Sequence, residues 1–166
     1  MLQKTLAAAF LLLPAAAFAQ TVVTAPAPAA PTRYVDAIHW PVNDAGVTRF
    51  VAAEVKLVTA FENACGDTFC EGEYTNLRPM ALRCSVDTTK GTLKQCLWTF
   101  AGSSSTVNRK TGAVSTMAKA FKCKLMLAKD TPVDAFYDAM DGKDPLNAKL
   151  PASRHSVHDS LYNCLY

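Results

Sequence analysis

The side chains best suited to chemistry in this sequence gather in one short segment, where four carboxylates flank two cysteines. The acids lie between residues 62 and 73 with no basic residue among them: Glu62, Asp67, Glu71 and Glu73. Two carboxylates can act as the acid and the base of a hydrolase, but the acid needs a pKa raised by burial. Most of these acids flank glycines, so we expect solvated carboxylates rather than a catalytic pair.

The same segment is better suited to binding a partner. A disulfide between Cys65 and Cys70 would stiffen the loop, and a preorganised loop loses less entropy on binding. Phe69 lies between the acids and is predicted to be an exposed aromatic anchor. The spacing of the acids matches no EF-hand calcium loop. The predicted partner-binding residues are therefore Glu62, Asp67, Phe69, Glu71 and Glu73.

Two histidines are the other candidates for chemistry. His155 and His158 are three positions apart on a predicted helix, a spacing that can place both rings on one face for a metal ion. A convincing third ligand is missing, so surface histidines are the preferred interpretation. The sequence contains no G-x-S-x-G elbow, no phosphate-binding glycine loop and no H-E-x-x-H motif. We predict neither a metal nor another cofactor.

The first nineteen residues predict export. Lys4 gives the start a positive charge, an apolar run covers residues 6–18, and residues 17–19 form a cleavage site before Gln20. The apolar run has roughly thirteen residues, fewer than the ~20 needed to span a bilayer. No second long apolar run follows, so we expect no membrane insertion. The predicted location is the periplasm or the extracellular medium.

In an oxidising compartment the six cysteines should form disulfides. Two predicted hairpin turns bring Cys84 close to Cys96, and Cys96 close to Cys123. Six cysteines allow fifteen pairings, and the sequence alone does not decide among them. The preferred set is Cys65–Cys70, Cys84–Cys96 and Cys123–Cys164. Redox and zinc chemistry are less favoured, because four residues separate the first pair and zinc needs reduced thiolates.

The overall charge argues against a nucleic-acid partner. Seventeen basic and fourteen acidic residues give a net charge of +3, which falls to +2 when the leader with Lys4 is removed. A charge this small does not indicate nucleic-acid binding. Basic residues nevertheless concentrate on the predicted third strand and its flanking turns: Arg109, Lys110, Lys119, Lys122, Lys124 and Lys129. Either the protein has an acidic end and a basic face, or these are ordinary solvated charges.

The remainder of the chain predicts one α+β domain. Residues 20–33 are rich in proline and alanine and are expected to form a disordered spacer before a single domain at 34–166. A helix is predicted from an Asn43 or Asp44 cap to Ala64, with a stripe that includes Val47, Phe50 and Val51. Its apolar side should pack on a sheet, since an apolar sheet face cannot remain wet.

Three strands and one or two further helices complete the predicted fold. Alternating patterns separated by turns at 87–91 and 108–112 predict a three-stranded antiparallel meander. Thr131 is predicted to cap one helix that ends near Gly142, and a last helix is expected at 152–163. The N-terminal helix packed on this meander, with disulfides as staples, is the predicted architecture.

These features predict a non-enzymatic binding protein. We expect an inhibitor or immunity-type protein that acts sterically on a protein partner in the cell envelope. One alternative is a small secreted hydrolase of cell wall or polysaccharide, using the acidic loop or the histidine pair. Another is a structural or assembly protein of the envelope, in which the spacer at 20–33 separates the domain from its partner.

Overall fold

The computed structural model describes residues 33–65, 69–70 and 72–166, which belong to one compact unit. The predicted leader and all but the last residue of the predicted spacer lie outside these ranges. Asp67 and Glu71 of the predicted binding loop also lie outside them. Within the described ranges, no helix has both the length and the apolar character that crossing a membrane requires.

Helix α1 spans Asp44–Ala64, as the sequence predicts. Its N-cap is Asn43, whose side-chain oxygen accepts a hydrogen bond from the Gly46 backbone N–H at 3.0 Å. The face turned to the sheet repeats at helical spacing: Phe50, Ala53, Leu57 and Phe61. Val47 and Val51 were expected on this face, but they are 40% and 42% exposed because they lie to one side of the contact with the sheet.

The sheet has five antiparallel strands rather than three. They are β1 (Tyr34–Asp36), β2 (Arg78–Asp87), β3 (Thr92–Val107), β4 (Val114–Lys124) and β5 (Thr131–Pro132). Their order is β1-β2-β3-β4, with β5 paired to β3. The predicted meander corresponds to β2–β4. The other two strands escape sequence analysis because three and two residues are too short to show a period of two.

The core face of β2 carries Leu82, Cys84 and Val86, all of which are buried. The alternation of Met80 with Leu82 and Cys84 in the sequence predicts Met80 on the same face, but its side chain is 65% exposed. An irregularity in the pairing with β3 lies between Pro79 and Ala81, and a bulge there breaks the alternation of side chains. The Glu54 carboxylate of α1 accepts a hydrogen bond from the Leu82 backbone N–H at 2.8 Å, which fixes the helix on β2.

Two short helices follow the sheet. Helix α2 spans Val133–Met140, and its N-cap position is held by Pro132. Thr131 was expected to cap this helix, but it lies in β5 and its hydroxyl donates to the Ala128 carbonyl instead. Helix α3 spans Val157–Leu165. Its capping box joins Ser156 and Asp159, which satisfies two backbone donors at the start of the helix.

Three disulfides join these elements, and they are the pairs of the preferred set. Cys84 and Cys96 face each other across β2 and β3, with Cα atoms 4.0 Å apart. Cys123 of β4 is bonded to Cys164 of α3, with Cα atoms 5.4 Å apart. Cys65–Cys70 closes the segment that follows α1. Three disulfides are compatible with an extracytoplasmic protein.

The turn between β2 and β3 depends on one buried carboxylate. Asp87 accepts hydrogen bonds from the Thr89 hydroxyl at 2.6 Å and the Thr89 backbone N–H at 3.0 Å. Its second oxygen lies 3.2 Å from the Arg33 guanidinium. The bonds from Thr89, more than the Arg33 charge, lower the pKa of Asp87 below its ordinary value.

We expect Asp87→Asn to remove part of the acid dependence of stability. Because the pKa of Asp87 is lower in the folded state, its contribution is present above the ordinary carboxyl pKa and is lost as pH falls through the folded value. Urea midpoints of both proteins between about pH 2 and pH 6 measure this effect. The two curves should converge towards the acid end. Asp138→Asn, an exposed carboxylate 4.0 Å from Arg49, is the control. Parallel curves for wild type and Asp87→Asn would refute the assignment.

Candidate partner-binding site

Phe69 is part of the core and not an exposed anchor, so this prediction is wrong. Its side chain is 2% exposed. The ring stacks on Phe61 with centroids 5.4 Å apart and lies 5.0 Å from the His158 ring. Burial of the aromatic ring at the end of α1 outweighs the polarity of its sequence neighbours. The short disulfide loop thus turns its one large apolar side chain inwards.

The acids of this segment do not form a carboxylate pair in the part that the structure describes. Glu62 lies 3.7 Å from the Arg78 guanidinium, so its nearest charged partner is a base. Glu73 is exposed. Asp67 and Glu71 lie outside the described residues, and their role in binding stays a prediction. Glu62 and Glu73 remain available at the surface, but neither has the burial that a general acid requires.

The two histidines belong to no metal-binding cluster in the part of the chain that the structure describes. The ring of His158 packs on Phe69, and the His155 backbone N–H donates to the Ser153 hydroxyl. Across residues 33–65, 69–70 and 72–166, no three or more His, Cys, Asp or Glu side chains are arranged to hold a metal ion. The structure therefore supplies no third ligand to the two histidines within these ranges.

Among the residues that the structure describes, the carboxyl groups with altered pKa values are all stabilised in the charged form. The capping bond from the Ser156 backbone N–H lowers the pKa of Asp159. The hydrogen bond from Lys56, at 2.8 Å, lowers the pKa of Asp141. Asp87 shifts in the same direction. A hydrolase acid needs the opposite shift, so these carboxylates act in capping and ion pairing.

The most prominent surface feature is a hairpin that extends beyond the rest of the sheet. Strands β3 and β4 pair continuously from Leu97 and Lys124 to Val107 and Val114. Strand β2 pairs with β3 only as far as Ala101, opposite Arg78. Every residue from 105 to 120 is exposed. We call residues 103–118 the hairpin arm; they form a two-stranded ribbon with solvent on both faces.

The base of the arm is clamped by residues 74–77. Tyr74 meets the Phe121 ring edge-on with centroids 5.4 Å apart. A Cβ on Gly102 would lie 2.9 Å from Leu77 Cδ2 and 3.0 Å from Tyr74 Cβ, so this close approach favours glycine. The Asn76 side chain accepts from the Ser103 backbone N–H at 2.6 Å and donates to its hydroxyl at 2.7 Å. The arm is thus fixed where it leaves the domain.

The tip of the arm is also ordered by hydrogen bonds. The Asn108 side-chain oxygen accepts from the backbone N–H groups of Lys110 and Thr111 at 2.9 and 3.1 Å. Gly112 has a φ of +70°, which favours glycine at this turn. Midway along the arm, the hydroxyls of Ser105 and Thr116 lie 3.0 Å apart across the two strands. These contacts hold the arm in one conformation.

The charge of the hairpin has a single sign. Residues 88–129 contain eight basic side chains and no acidic one. Five of them lie at the arm tip and along β4: Arg109, Lys110, Lys119, Lys122 and Lys124. All five are exposed, and none has an acidic partner within 4.0 Å among the described residues. These charges are free to meet an anionic partner.

Lys119 joins the basic hairpin to the predicted acidic loop. Its ammonium lies 4.5 Å from the centre of the Phe121 ring and 5.9 Å from that of Tyr74. Lys119 and Glu73 both line a small cavity of about 150 Å³ at the arm base. One acid of the predicted loop, Glu73, therefore lies near one base of β4, Lys119.

A second surface depression lies away from the arm. An open groove of about 540 Å³ runs between α1 and residues 142–147, with Val55, Thr59 and Ala60 on its helix side. One of its two lysines, Lys56, is paired with Asp141 at 2.8 Å. The groove has no cluster of unpaired charges or buried polar groups among the described residues, so it offers less to a specific partner than the arm does.

No family model, curated protein or solved structure matches this chain. Function is therefore inferred from the geometry and charge of its own residues. By these criteria the hairpin arm is the stronger candidate surface.

Sequence analysis identified the strands and the turn of the arm but did not recognise that they leave the domain. One signal was present in the sequence. Large apolar side chains alternate through Cys96, Trp98 and Phe100, and then give way to the polar run at 103–106. A strand that loses its apolar alternation has no core to cover. The absence of acids on either side of the tip was the second signal.

Proposed function

We propose that this protein is an exported, non-enzymatic binding protein that acts sterically on a protein partner in the cell envelope, as an inhibitor or immunity-type protein would. The hairpin arm carries the proposal. It is long, clamped at its base by Tyr74 and Leu77, and exposed on both faces. Such a ribbon contributes nothing to the core, and a projecting rigid element is suited to entering or covering a site on another protein.

The charge of the arm indicates the kind of partner. Five exposed basic residues, two at the arm tip and three on β4 beyond the arm, have no acidic partner within 4.0 Å among the described residues. They create a positive field, which attracts a negatively charged surface and repels a positive one. Charge of this kind raises the rate of association and selects among partners more than it raises affinity. The favoured partner is therefore a protein with an acidic cleft or an acidic extended segment.

The exported location in this proposal rests on the predicted leader and on the three disulfides. The leader sequence predicts export, and three disulfides are compatible with an oxidising location. A stapled domain also holds its binding surface in one shape. A steric mechanism needs this rigidity, because a surface that is already ordered loses less conformational entropy when the partner binds.

The acidic segment is proposed as a second contact beside the first. Glu73 is exposed next to the arm base, and Glu71 precedes it in the sequence. A partner that crosses the arm base would meet the Glu73 carboxylate. Exchange of Glu71 and Glu73 for lysine should weaken its binding without unfolding the domain.

The proposal is tested by affinity capture with the oxidised protein from native envelope and culture fractions, with mass spectrometry of what is retained. The arm variant is Arg109→Glu with Lys110→Glu, which reverses two charges at the tip. We expect the wild type to retain one stoichiometric protein partner. The arm variant should bind that purified partner at least about 10-fold more weakly at low salt.

The matched control reverses two exposed basic residues away from the arm, Lys143 and Arg154. It changes the net charge by the same amount, so it should bind the partner as wild type does. Equal loss in both variants would show that only the net charge matters. Retention of nothing, or of glycan alone, would contradict a protein-binding function.

A further inference from the structure

The outer edge of β4 carries backbone groups that face away from β3. Pairing in an antiparallel ladder alternates along the strand. At one end the Asn108 N–H donates to the Ala113 carbonyl at 2.8 Å, and at the other the Leu125 N–H donates to the Cys96 carbonyl at 3.0 Å. Odd-numbered residues of β4 therefore bond to β3. The backbone groups of Val114, Thr116 and Ala118 point outwards.

Nothing in the described part of the chain covers this edge along the arm. Strand β4 is the last in the order β1-β2-β3-β4, and β5 pairs with β3 instead. Residues 114–118 are all exposed. They also lack the devices that usually protect an edge strand, since residues 113–118 include no proline and no charge. The open ladder is long enough for a strand of about five residues.

The chemistry of this edge selects the class of partner. A ladder of alternating N–H and C=O groups is complemented by another extended peptide, which offers the same groups at the same spacing. Polysaccharides and lipid headgroups could satisfy the lysines, but they lack that ladder. An edge that pairs with peptide backbone therefore favours a protein segment over an anionic glycan.

The surrounding charge selects among peptides. A second copy of this chain could offer its own β4 edge, but each copy would bring its exposed cations: Arg109, Lys110, Lys119, Lys122 and Lys124. Like charges held side by side oppose pairing. A segment rich in aspartate or glutamate would gain from the same five charges. Charge complementarity thus favours an acidic segment over a second copy.

We propose that the free edge of β4, at residues 114–118, binds an extended acidic segment of the partner protein as an added strand of the sheet. This inference rests on the proposed function and specifies how the arm makes its contact. Main-chain hydrogen bonds would supply affinity along Val114, Thr116 and Ala118. The flanking lysines and the tip would supply the preference for acidic sequence.

The test starts from peptide selection. A display library of random dodecapeptides is selected against the immobilised, oxidised full-length protein at low salt. We expect enriched peptides rich in acidic residues, without proline in the bound stretch. Hydrogen exchange of the complex should then show slower exchange at the amides of Thr116 and Ala118, which face solvent in the free protein. A version of the best peptide with alternate backbone N-methyl groups keeps its charge and should lose binding.

Two substitutions at one position separate the backbone contact from the side chain. Thr116→Pro removes an outward N–H that makes no bond to β3, and proline is tolerated on edge strands. Thr116→Val keeps this N–H but loses the hydroxyl contact with Ser105. We expect Thr116→Pro to weaken the selected peptide about 10-fold or more, and Thr116→Val to change its affinity by less than about 2-fold. Circular dichroism and thermal melting of both variants check that the fold is kept.

The remaining outcomes would overturn strand addition. One is a selection that enriches no peptide, and another is slower exchange at amides other than those of Thr116 and Ala118. The others are unchanged binding of the N-methylated peptide, and equal losses of affinity in Thr116→Pro and Thr116→Val. Tighter binding of an anionic polysaccharide than of any peptide would assign the arm to a glycan. Concentration-dependent dimers that dissociate in Thr116→Pro would assign the edge to a second copy. If the captured partner binds the double variant Arg109→Glu with Lys110→Glu more weakly but binds Thr116→Pro as it binds wild type, the proposed function stands and only strand addition fails.

Discussion

Replacing Phe61 with alanine is expected to lower the free energy of unfolding by about 3–5 kcal/mol. Phe61 is fully buried and lies at the centre of an aromatic cluster. Its ring centroid is 4.8 Å from that of Phe100, 5.4 Å from Phe69 and 6.0 Å from Trp98. Removing the ring leaves a cavity between α1 and the sheet that rigid neighbours cannot close.

The loss should also reach the short disulfide segment, because Phe69 would lose the ring on which it stacks. Urea unfolding followed by far-UV circular dichroism, with the disulfides intact, measures the change in stability. Val55→Ala on the same helix is the control, since Val55 is 57% exposed and its loss should cost less than about 0.5 kcal/mol. A similar small loss for Phe61→Ala would refute its central place in the core.

Helix α1 shows why long periodic elements are predictable from sequence. Twenty-one residues give enough turns for the apolar spacing to stand out, and Asn43 marks the start by its capping chemistry. The error at Val47 and Val51 has a physical cause. Apolar residues at the margin of a stripe look the same in sequence as those at its centre, and only the position of the sheet decides which are buried.

Short and irregular elements could not be predicted in the same way. Strand β1 pairs Tyr34 with Asp87 and Asp36 with Ser85, about fifty residues away in the chain. Such pairing depends on the tertiary fold and leaves no local period. The bulge between Pro79 and Ala81 likewise depends on the partner strand. Its effect, which is to turn Met80 away from the core face, therefore could not be predicted from the sequence.

The candidate site was predicted only in part, because exposure is decided by packing and not by neighbours in sequence. Phe69 lies among polar residues, yet Phe61 and His158 enclose it. The basic residues of β4 were recognised as a group from sequence. That Arg109 and Lys110 lie at the tip of an arm free of the core follows only from where β2 stops pairing with β3, at Ala101, and where β4 stops, at Val107.

Loss of the Cys123–Cys164 disulfide should destabilise the protein more than loss of Cys65–Cys70. The first bond closes a sequence separation of 41 residues and the second a separation of only 5. In the chain-entropy model the cost grows with the logarithm of the loop, to about 4 kcal/mol for the first and about 2 kcal/mol for the second. The first bond also holds α3 on β4, immediately beyond the base of the arm.

The comparison uses two double variants, Cys123→Ala with Cys164→Ala and Cys65→Ala with Cys70→Ala. Alanine avoids a polar hydroxyl at Cys123, which is fully buried. Urea unfolding of both should show the larger loss for the Cys123 variant, by about 2 kcal/mol. Equal losses would mean that residual structure in the unfolded chain already keeps α3 near β4, because the entropic advantage of the longer loop depends on an expanded unfolded state. A larger loss for the Cys65 variant would instead place the main stabilising role at the end of α1, where Phe69 enters the core.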